Sequence, residues 1–212
     1  MKRESVLDAV ESSGLIAVIR GMQPDATSRV VRALVAGGVR ALEVTMNSPQ
    51  PLRMISAIRS SLEDRQIAVG AGTVLDSESA RSAILAGADF VVAPNLNPGV
   101  IKICRRYSRP VLPGAMTPTE IVRAWEAGAD MVKVFPAAAL GPGFIRNMGG
   151  PLPQIKLVPT GGINLENAAE FIRAGAAALG VGGSLVNPEM DPDGISEQAR
   201  ALLTVIEEAR RA

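Results

Sequence analysis

Residues 109–136 read RPVLPGAMTPTEIVRAWEAGADMVKVFP, and their pattern indicates the fold class most clearly. The apolar run RPVLPGA (109–115) predicts a buried strand. A Thr-Pro start and apolar spacing near 3.6 then predict a helix over TPTEIVRAWEAGA. A second apolar run, MVKVFP (131–136), follows at once. Strand, helix and strand in this order are typical of two neighbouring parallel strands joined by a crossover helix.

The same unit repeats along the whole chain. Six further apolar runs predict strands: LIAVIR (15–20), ALEVTM (41–46), IAVGAGTV (67–74), FVVAP (90–94), IKLVPTG (155–161) and AALGVGG (177–183). Eight strands alternating with helices over 212 residues predict an α/β fold: a single-domain (β/α)8 TIM barrel spanning residues 1–212, preceded by a polar N-terminal helix. A doubly wound open sheet is the structural alternative, although no GxGxxG or GxxxxGK[ST] pattern follows the first strand.

Composition and charge exclude several classes of protein. Hydrophobic residues make up 47% of the chain and aromatic residues only 3%, which favours a core of aliphatic side chains between a sheet and its helices. The net charge of +1 gives no strong attraction to nucleic acid or to an anionic membrane, so neither partner is expected. The start of the chain lacks the apolar stretch of a signal peptide, and no segment holds 18 consecutive apolar residues. We therefore expect a cytoplasmic protein.

The absence of histidine restricts the chemistry. With no His and a single cysteine, Cys104, the chain offers no disulfide, no Cys/His metal site and no His-based catalytic triad. We expect neither a metal nor a cofactor. Catalysis must then use lysine, arginine, carboxylate, hydroxyl or backbone groups.

Strand parity directs two charged side chains inward. Successive side chains of a strand face opposite sides, so Lys133 shares a face with Met131 and Phe135, while Val132 and Val134 occupy the other. By the same rule Glu43 and Thr45 lie opposite Leu42 and Val44. The aliphatic faces must pack on the helices, so Lys133 and Glu43 must point into the barrel.

A lysine in this position can form an imine. Burial disfavours the ammonium and leaves a free amine that can attack a ketone, and Glu43 can move protons beside it. The structural alternatives are a Lys133 side chain that reaches solvent along the barrel wall and a buried Lys133–Glu43 ion pair. The functional alternatives to imine chemistry on Lys133 are a metal-dependent aldolase, a barrel isomerase or epimerase, and a non-catalytic binding barrel.

The remaining candidate residues lie at strand ends. Thr160-Gly161-Gly162 ends the seventh predicted strand and Gly182-Gly183-Ser184 ends the eighth. Barrels often bind phosphate at this pair of loops, because glycine lets backbone N–H groups approach an anion closely. Arg20, at the end of the first strand, is a candidate partner of a substrate carboxylate or of a salt bridge at the rim. Thr73 ends the third strand.

The residues quoted so far resemble one known family. GLIAVIRG, AGGVRALEVT, VGAGTVLD, VVAPNLNP, PGAMTPTE, VKVFPA, PTGGINLEN and GVGGSL resemble segments of the 2-keto-3-deoxy-6-phosphogluconate (KDPG) and 4-hydroxy-2-oxoglutarate (KHG) aldolases over about residues 14–187. The resemblance implies a homotrimeric class I aldolase that needs no cofactor and acts on a phosphorylated 2-keto acid. It implies cleavage of KDPG to pyruvate and glyceraldehyde 3-phosphate, and of KHG to pyruvate and glyoxylate.

The resemblance also assigns roles to residues. It implies that Lys133 forms the imine and that Glu43 acts as general base through a water molecule. It implies that Thr73 contacts the pyruvyl carboxylate and that Pro94 and Phe135 form walls of the pocket. It matches the phosphate site to Gly161, Gly162, Gly183 and Ser184.

One segment departs from the family pattern. Well-known members read Leu-Arg-Thr after the glutamate, whereas this chain reads Met46-Asn47-Ser48, as in the related 6-phosphogalactonate aldolases. Arg20, which that branch also has, is then expected to bind the carboxylate. Thr160 instead resembles the gluconate branch. The expected substrate is KDPG, with 2-dehydro-3-deoxy-6-phosphogalactonate as the alternative.

Overall fold

Strands and helices alternate through the described part of the chain. The computed structural model describes residues 1–62, 66–187 and 189–211. The helices are α1 (Arg3–Ser13), α2 (Pro24–Ala36), α3 (Pro51–Ser61), α4 (Ser77–Leu85), α5 (Pro98–Arg106), α6 (Pro118–Glu126), α7 (Ala137–Gly149), α8 (Ala168–Arg173) and α9 (Pro192–Arg211). The strands are β1 (Leu15–Ile19), β2 (Ala41–Thr45), β3 (Ala68–Gly72), β4 (Phe90–Val92), β5 (Val111–Leu112), β6 (Gly114–Ala115), β7 (Val132–Val134), β8 (Leu157–Pro159) and β9 (Leu179–Val181).

The strands form two parallel sheets. One has six strands in the order β5-β4-β3-β2-β1-β9, and the other has three in the order β6-β7-β8. A single parallel bridge between Thr160 and Gly180 connects the end of β8 to β9. The predicted α/β fold with a parallel sheet and an N-terminal helix is confirmed. The hydrogen-bonded ladders divide into two sheets, where the sequence predicted one continuous eight-stranded barrel.

The division occurs inside one predicted strand. The run 109–115 is interrupted at Pro113 and forms two short strands: β5 pairs with β4, and β6 pairs with β7. Proline has no N–H group to donate to a ladder, which explains the break. Its carbonyl oxygen still accepts a hydrogen bond of 2.9 Å from the Lys133 N–H, so β7 stays aligned with this segment.

Two hydrophobic clusters separate the faces of the strands. The smaller cluster contains Ile16, Ala41, Ala68, Phe90, Val92, Leu112 and Val158 from the strands, Met131 and Ala178 directly before β7 and β9, and Val6, Ala9 and Val10 from α1. The larger cluster packs the opposite strand faces, among them Leu42, Val44, Val132 and Val134, against the other helices. Met131 and Ala41 therefore lie on the inner face, which α1 covers. Lys133 and Glu43, two residues further along the same strands, have the parity of that inner face.

No helix among the described residues is long and apolar enough to cross a membrane.

Candidate active site

Lys133 is a buried lysine at the centre of β7. Its side chain is only 2% exposed, and its backbone lies in register between Gly114 of β6 and Val158 of β8. Its Nζ atom lies 5.0 Å from the centre of the Phe135 ring, a cation–π distance. Burial lowers the pKa of Lys133 below its ordinary value. The Glu43 carboxylate opposes this shift, and the Arg20 guanidinium adds to it. The free amine is therefore favoured more strongly than in an exposed lysine.

Glu43 is a buried carboxylate at the centre of β2. It is 2% exposed, and its backbone lies between Val18 of β1 and Gly70 of β3. Its Oε1 atom has no hydrogen-bond partner among the described residues. Burial raises the pKa of Glu43 above its ordinary value, although the positive charges of Lys133 and Arg20 act in the opposite direction. An unpaired buried oxygen is costly unless a ligand or water satisfies it.

Lys133 and Glu43 influence each other electrostatically without a direct salt bridge. None of the ion pairs of the described residues joins the two side chains. Each nevertheless shifts the pKa of the other through its charge. The absence of a direct contact disfavours the alternative of a simple buried ion pair.

A cavity of about 400 Å³ opens beside Lys133 at the carboxyl ends of the strands. Its lining consists of Val18, Arg20, Lys133, Phe135, Thr160, Gly161, Gly162, Ile163, Asn164, Gly182, Gly183 and Ser184. Nine of these residues were site candidates in the sequence. Three other candidates, Glu43, Thr73 and Pro94, are not among the lining residues. The volume lies in the range of small-molecule sites.

Two glycine-containing loops, which follow β8 and β9, line the cavity. The loop after β8 contains Gly161 and Gly162, with φ angles of 93° and 79°, and the loop after β9 contains Gly183 and Ser184. The backbone N–H groups of Gly162, Gly183 and Ser184 donate to no acceptor within the described residues. The Ser184 hydroxyl donates to the Ile163 carbonyl at 2.6 Å and joins the loops. Converging free N–H groups are suited to binding an anion.

Arg20 provides a positive charge in the lining of the cavity. Its guanidinium donates to Asn47 Oδ1 and to Thr73 Oγ1, both at 3.4 Å. Arg20 is exposed, and these are long hydrogen bonds, so its planar donor face remains available to a carboxylate. The sequence placed Arg20 at the end of the first strand and Thr73 at the end of the third, and the structure brings their side chains together across the end of β2.

Pro94 lies in the chain segment after β4, and its backbone contacts Gly114. A Cβ built on Gly114 would lie 2.3 Å from the carbonyl carbon and oxygen of Pro94. Only glycine therefore fits where β6 passes this carbonyl. Phe135 instead faces the cavity, where its ring packs against Gly161, 3.1 Å from the position of a Cβ.

Sequence reasoning missed three residues that shape the site. Gly72 of β3 leaves the space that the Glu43 carboxylate occupies, since a Cβ there would lie 1.8 Å from Glu43 Oε1. Asn164 lines the cavity, and Asn167 holds the loop after β8 through its side-chain amide. Strand parity indicated that Gly72 points inward, and in the structure it lies in register with Thr45. For the two asparagines, nothing in the sequence indicated a role beyond their place in PTGGINLEN.

Comparison with known proteins identifies the family. Residues 6–197 match a family model described as KDPG and KHG aldolase. The chain belongs to this family. The protein is accordingly an aldolase, which is a carbon–carbon lyase.

No group of three or more His, Cys, Asp or Glu side chains that could hold a metal ion occurs among the residues whose structure is described.

Individual relatives support the assignment of this chain to the aldolase family. The chain is 39% identical over 185 residues to a 2-dehydro-3-deoxy-phosphogluconate aldolase of Treponema pallidum, covering 87% of each chain. It is 37% identical over 196 residues to the 2-dehydro-3-deoxy-6-phosphogalactonate aldolase of Escherichia coli, covering 92% of this chain and 95% of the relative. Relatives of both substrate types are therefore about equally similar.

Solved structures agree with the fold of the aldolase. A structure described as native KDPGal superposes with a TM-score of 0.89 at 36% identity, covering 93% of this chain and 96% of the other. KDPG aldolase of Legionella pneumophila, with pyruvate captured as a covalent carbinolamine intermediate, superposes with a TM-score of 0.86 at 28% identity, covering 93% and 97%.

Proposed function

We propose that the aldolase cleaves KDPG to pyruvate and glyceraldehyde 3-phosphate through an imine on Lys133. The observation that carries this proposal is the position of the Lys133 amine. It is a buried amine with a lowered pKa, and it lines the same cavity as two loops with free N–H groups. A substrate with a ketone at one end and a phosphate at the other fits both features.

The first half of the reaction builds the imine. The neutral Lys133 amine adds to the C2 carbonyl of the substrate and forms a carbinolamine, and loss of water with uptake of one proton gives the protonated imine; this proton is released again when the imine is hydrolysed. When the C3–C4 bond later breaks, its electron pair forms the C2=C3 double bond and the C=N π pair moves onto the nitrogen. The captured carbinolamine of the Legionella pneumophila relative supports this route.

The second half breaks the carbon–carbon bond. Glu43, acting as a base through a water molecule, accepts the proton of the C4 hydroxyl. The C4–O bond becomes a carbonyl, the C3–C4 electrons form an enamine, and glyceraldehyde 3-phosphate leaves. The same proton returns to C3 of the enamine, and addition of water to the resulting imine releases pyruvate and regenerates the amine. The unpaired Glu43 Oε1 is available to hold that water.

The two ends of the substrate require different partners. Arg20, with Thr73 beside it, supplies a bidentate donor for the carboxylate next to C2. The N–H groups of Gly162, Gly183 and Ser184 supply donors for the phosphate. Phe135 acts as a wall of the pocket, whereas Pro94, which does not line the cavity, packs against Gly114 of β6.

The C4 configuration of the substrate separates the two candidate functions. Thr160 supports the gluconate, because it lines the cavity and a threonine at this position resembles the gluconate branch. Asn47 supports the galactonate, because it contacts Arg20 where other members have their own arginine. We favour the gluconate, with the galactonate as the second candidate. Cleavage of KHG is proposed as a further activity.

A pyruvate-release assay tests the proposed function. Each 6-phosphorylated C4 epimer and KHG is supplied in turn, and pyruvate is measured through lactate dehydrogenase. The proposal predicts the highest kcat/KM with KDPG. A higher value with the galactonate establishes the second candidate. Conversion of a sugar phosphate without pyruvate would instead indicate an isomerase or epimerase and contradict the proposal.

We also propose that residues 1–212 form one closed eight-stranded barrel domain. Closure is supported by β5 and β6, which flank Pro113 within one chain segment, and by the Thr160–Gly180 bridge between β8 and β9. We further propose a cytoplasmic homotrimer. A similar structure, a cage designed by fusing symmetric oligomeric domains, supports oligomerisation, and light scattering of the purified protein would measure the subunit number.

A further inference from the structure

Asn167 lies next to the cavity without lining it and holds the loop that begins at Gly161. Its Nδ2 donates to the Gly162 carbonyl at 2.8 Å. Its Oδ1 accepts from the Asn164 N–H at 3.0 Å. One side chain therefore fixes two peptide groups of the loop after β8, one at each end of the Gly162–Asn164 segment.

Asn164 completes a reciprocal pair with Asn167. Its Oδ1 accepts from the N–H groups of Glu166 and Asn167, at 3.0 and 3.1 Å. Each asparagine thus accepts a hydrogen bond from the backbone N–H of the other. This arrangement fixes the Asn167 side chain, so that its amide points back to Gly162.

The loop needs such a restraint because it is built from glycine. Gly161 and Gly162 both have positive φ angles, and glycine loses more conformational freedom on ordering than any other residue. The Gly161 carbonyl is held by the Ala138 N–H at 3.0 Å, and a Cβ on Gly162 would lie 2.5 Å from Ala138 Cβ. Helix α7 therefore supports one side of the loop, and Asn167 supports the other.

We propose that Asn167 is a positioning residue that sets the enzyme's affinity for the phosphate end of its substrate. It touches no substrate atom in this account. Its hydrogen bond to the Gly162 carbonyl fixes the peptide group that follows Gly162, while the Ala138 N–H fixes the preceding one, which carries the free Gly162 N–H. Held from both sides, Gly162 presents this N–H to the phosphate together with those of Gly183 and Ser184, and binding then requires less ordering of the loop. This proposal rests on the proposed function, because it takes the phosphorylated acid as substrate.

Substrates with and without phosphate test the proposal. Asn167→Ala should lower kcat/KM for KDPG about tenfold, mainly through a higher KM. This factor corresponds to the loss of the hydrogen bond to the Gly162 carbonyl. The kcat/KM for KHG, which has no phosphate, should change little. Inorganic phosphate should also become a correspondingly weaker competitive inhibitor of KHG cleavage. An equal fall for both substrates, or no fall for either, would overturn the proposal.

Two further variants make the result specific. Asn167→Ser keeps a residue type that is favoured at the start of a helix, but serine is too short to reach the Gly162 carbonyl. Its kcat/KM for KDPG should therefore fall as predicted for Asn167→Ala, and it provides the test if the alanine variant folds poorly. Asn97→Ala is the matched control, because Asn97, like Asn167, occupies the N-cap position of a helix and donates from Nδ2 to a loop carbonyl, that of Leu75 at 2.8 Å. It should lower the Tm while leaving the KDPG to KHG ratio of kcat/KM unchanged.

A binding measurement separates this proposal from the proposed function. Inorganic phosphate should raise the Tm of the wild-type protein, and this rise should be largely lost in Asn167→Ala. If the wild type released no pyruvate from any substrate but kept the phosphate-dependent rise, the proposed function would fail and the role of Asn167 would stand. A wild-type Tm that does not respond to phosphate would overturn the role of Asn167.

Discussion

The Glu43 carboxylate occupies the space that a side chain on Gly72 would fill. A Cβ built on Gly72 would lie 1.8 Å from Glu43 Oε1 and 2.4 Å from its carboxyl carbon. Glu43 and Gly72 come from the neighbouring strands β2 and β3, whose backbones pair along their whole lengths. The position of the proposed base therefore depends on the absence of a side chain on the adjacent strand.

Gly72→Ala should displace the Glu43 carboxylate while leaving the protein folded. The clash is with the end of a flexible side chain, and Gly72 does not have a positive φ, so the backbone can accept alanine. Because a positioned base contributes about 10² or more in rate, kcat for KDPG cleavage should fall about a hundredfold, with little change in the imine formed with pyruvate. The control is Gly143→Ala, where nothing lies within 4 Å of an added Cβ. Normal kcat in Gly72→Ala would contradict the role of Glu43.

The two glycine loops should respond differently to alanine. Gly162→Ala places a Cβ 2.5 Å from Ala138 Cβ at a φ of 79°, and such strain should lower the free energy of unfolding by about 1–3 kcal/mol. Gly183 has no atom within 4 Å of an added Cβ and no positive φ, so Gly183→Ala should leave stability unchanged. Urea unfolding of both variants measures the difference. Equal losses would mean that the loop after β8 is not supported by α7 in this way.

Replacing Arg20 should shift the acidic side of the pH–rate profile. The Arg20 charge lowers the pKa of both Lys133 and Glu43. Without it, in Arg20→Gln, the pKa of each group should rise. A free amine and an ionised carboxylate would then both require higher pH, so the acidic limb of kcat/KM should move to higher pH. A profile with an unchanged acidic limb would show that neither group titrates in the free enzyme.

Removing the buried charges should stabilise the fold and abolish activity. Replacing a buried charged pair by uncharged side chains of similar size is often neutral or stabilising by 1–4 kcal/mol, so Lys133→Met combined with Glu43→Gln should raise the free energy of unfolding by about that amount. Cleavage should be lost completely. Urea unfolding at neutral pH measures the gain, and a less stable double variant would contradict the cost assigned to burial.

The same variant should lose two pH dependences of stability. Because the pKa of Lys133 is lowered from 10.5, the unfolded chain binds more protons at Lys133 between the native pKa and 10.5, and stability rises with pH across that interval. Because the pKa of Glu43 is raised from 4.5, the native state binds more protons above that value, and stability falls as pH rises from 4.5 to the native pKa. Both slopes should be absent from the variant's unfolding curves.

The inward position of the central charges could be predicted because strand parity is a local property. Alternation alone placed Lys133 with Met131 and opposite Val132, and the two hydrophobic clusters separate these residues in the same way. The order of strands and helices followed from equally local patterns. Arg20 and Thr73 were each assigned to a strand end, and parallel strands bring such ends to one edge.

The remaining features depend on contacts between residues far apart in the chain. The fit of Glu43 over Gly72 joins two strands, and no local pattern reports which inward glycine will face a carboxylate. The hydrogen bond from Asn167 to Gly162 depends on how the loop after β8 folds back on itself. Pro113 was visible in the sequence, but its effect depended on which neighbours β5 and β6 each paired with.

The most direct test of the account is reduction of the enzyme with borohydride in the presence of pyruvate, followed by mass spectrometry of its peptides. The chain has four lysines, so the site of modification is decisive. Catalysis through an imine on Lys133 should leave a stable reduced adduct on the peptide that contains Lys133, and none in Lys133→Met. An unmodified wild-type protein, or an adduct on another lysine, would contradict it.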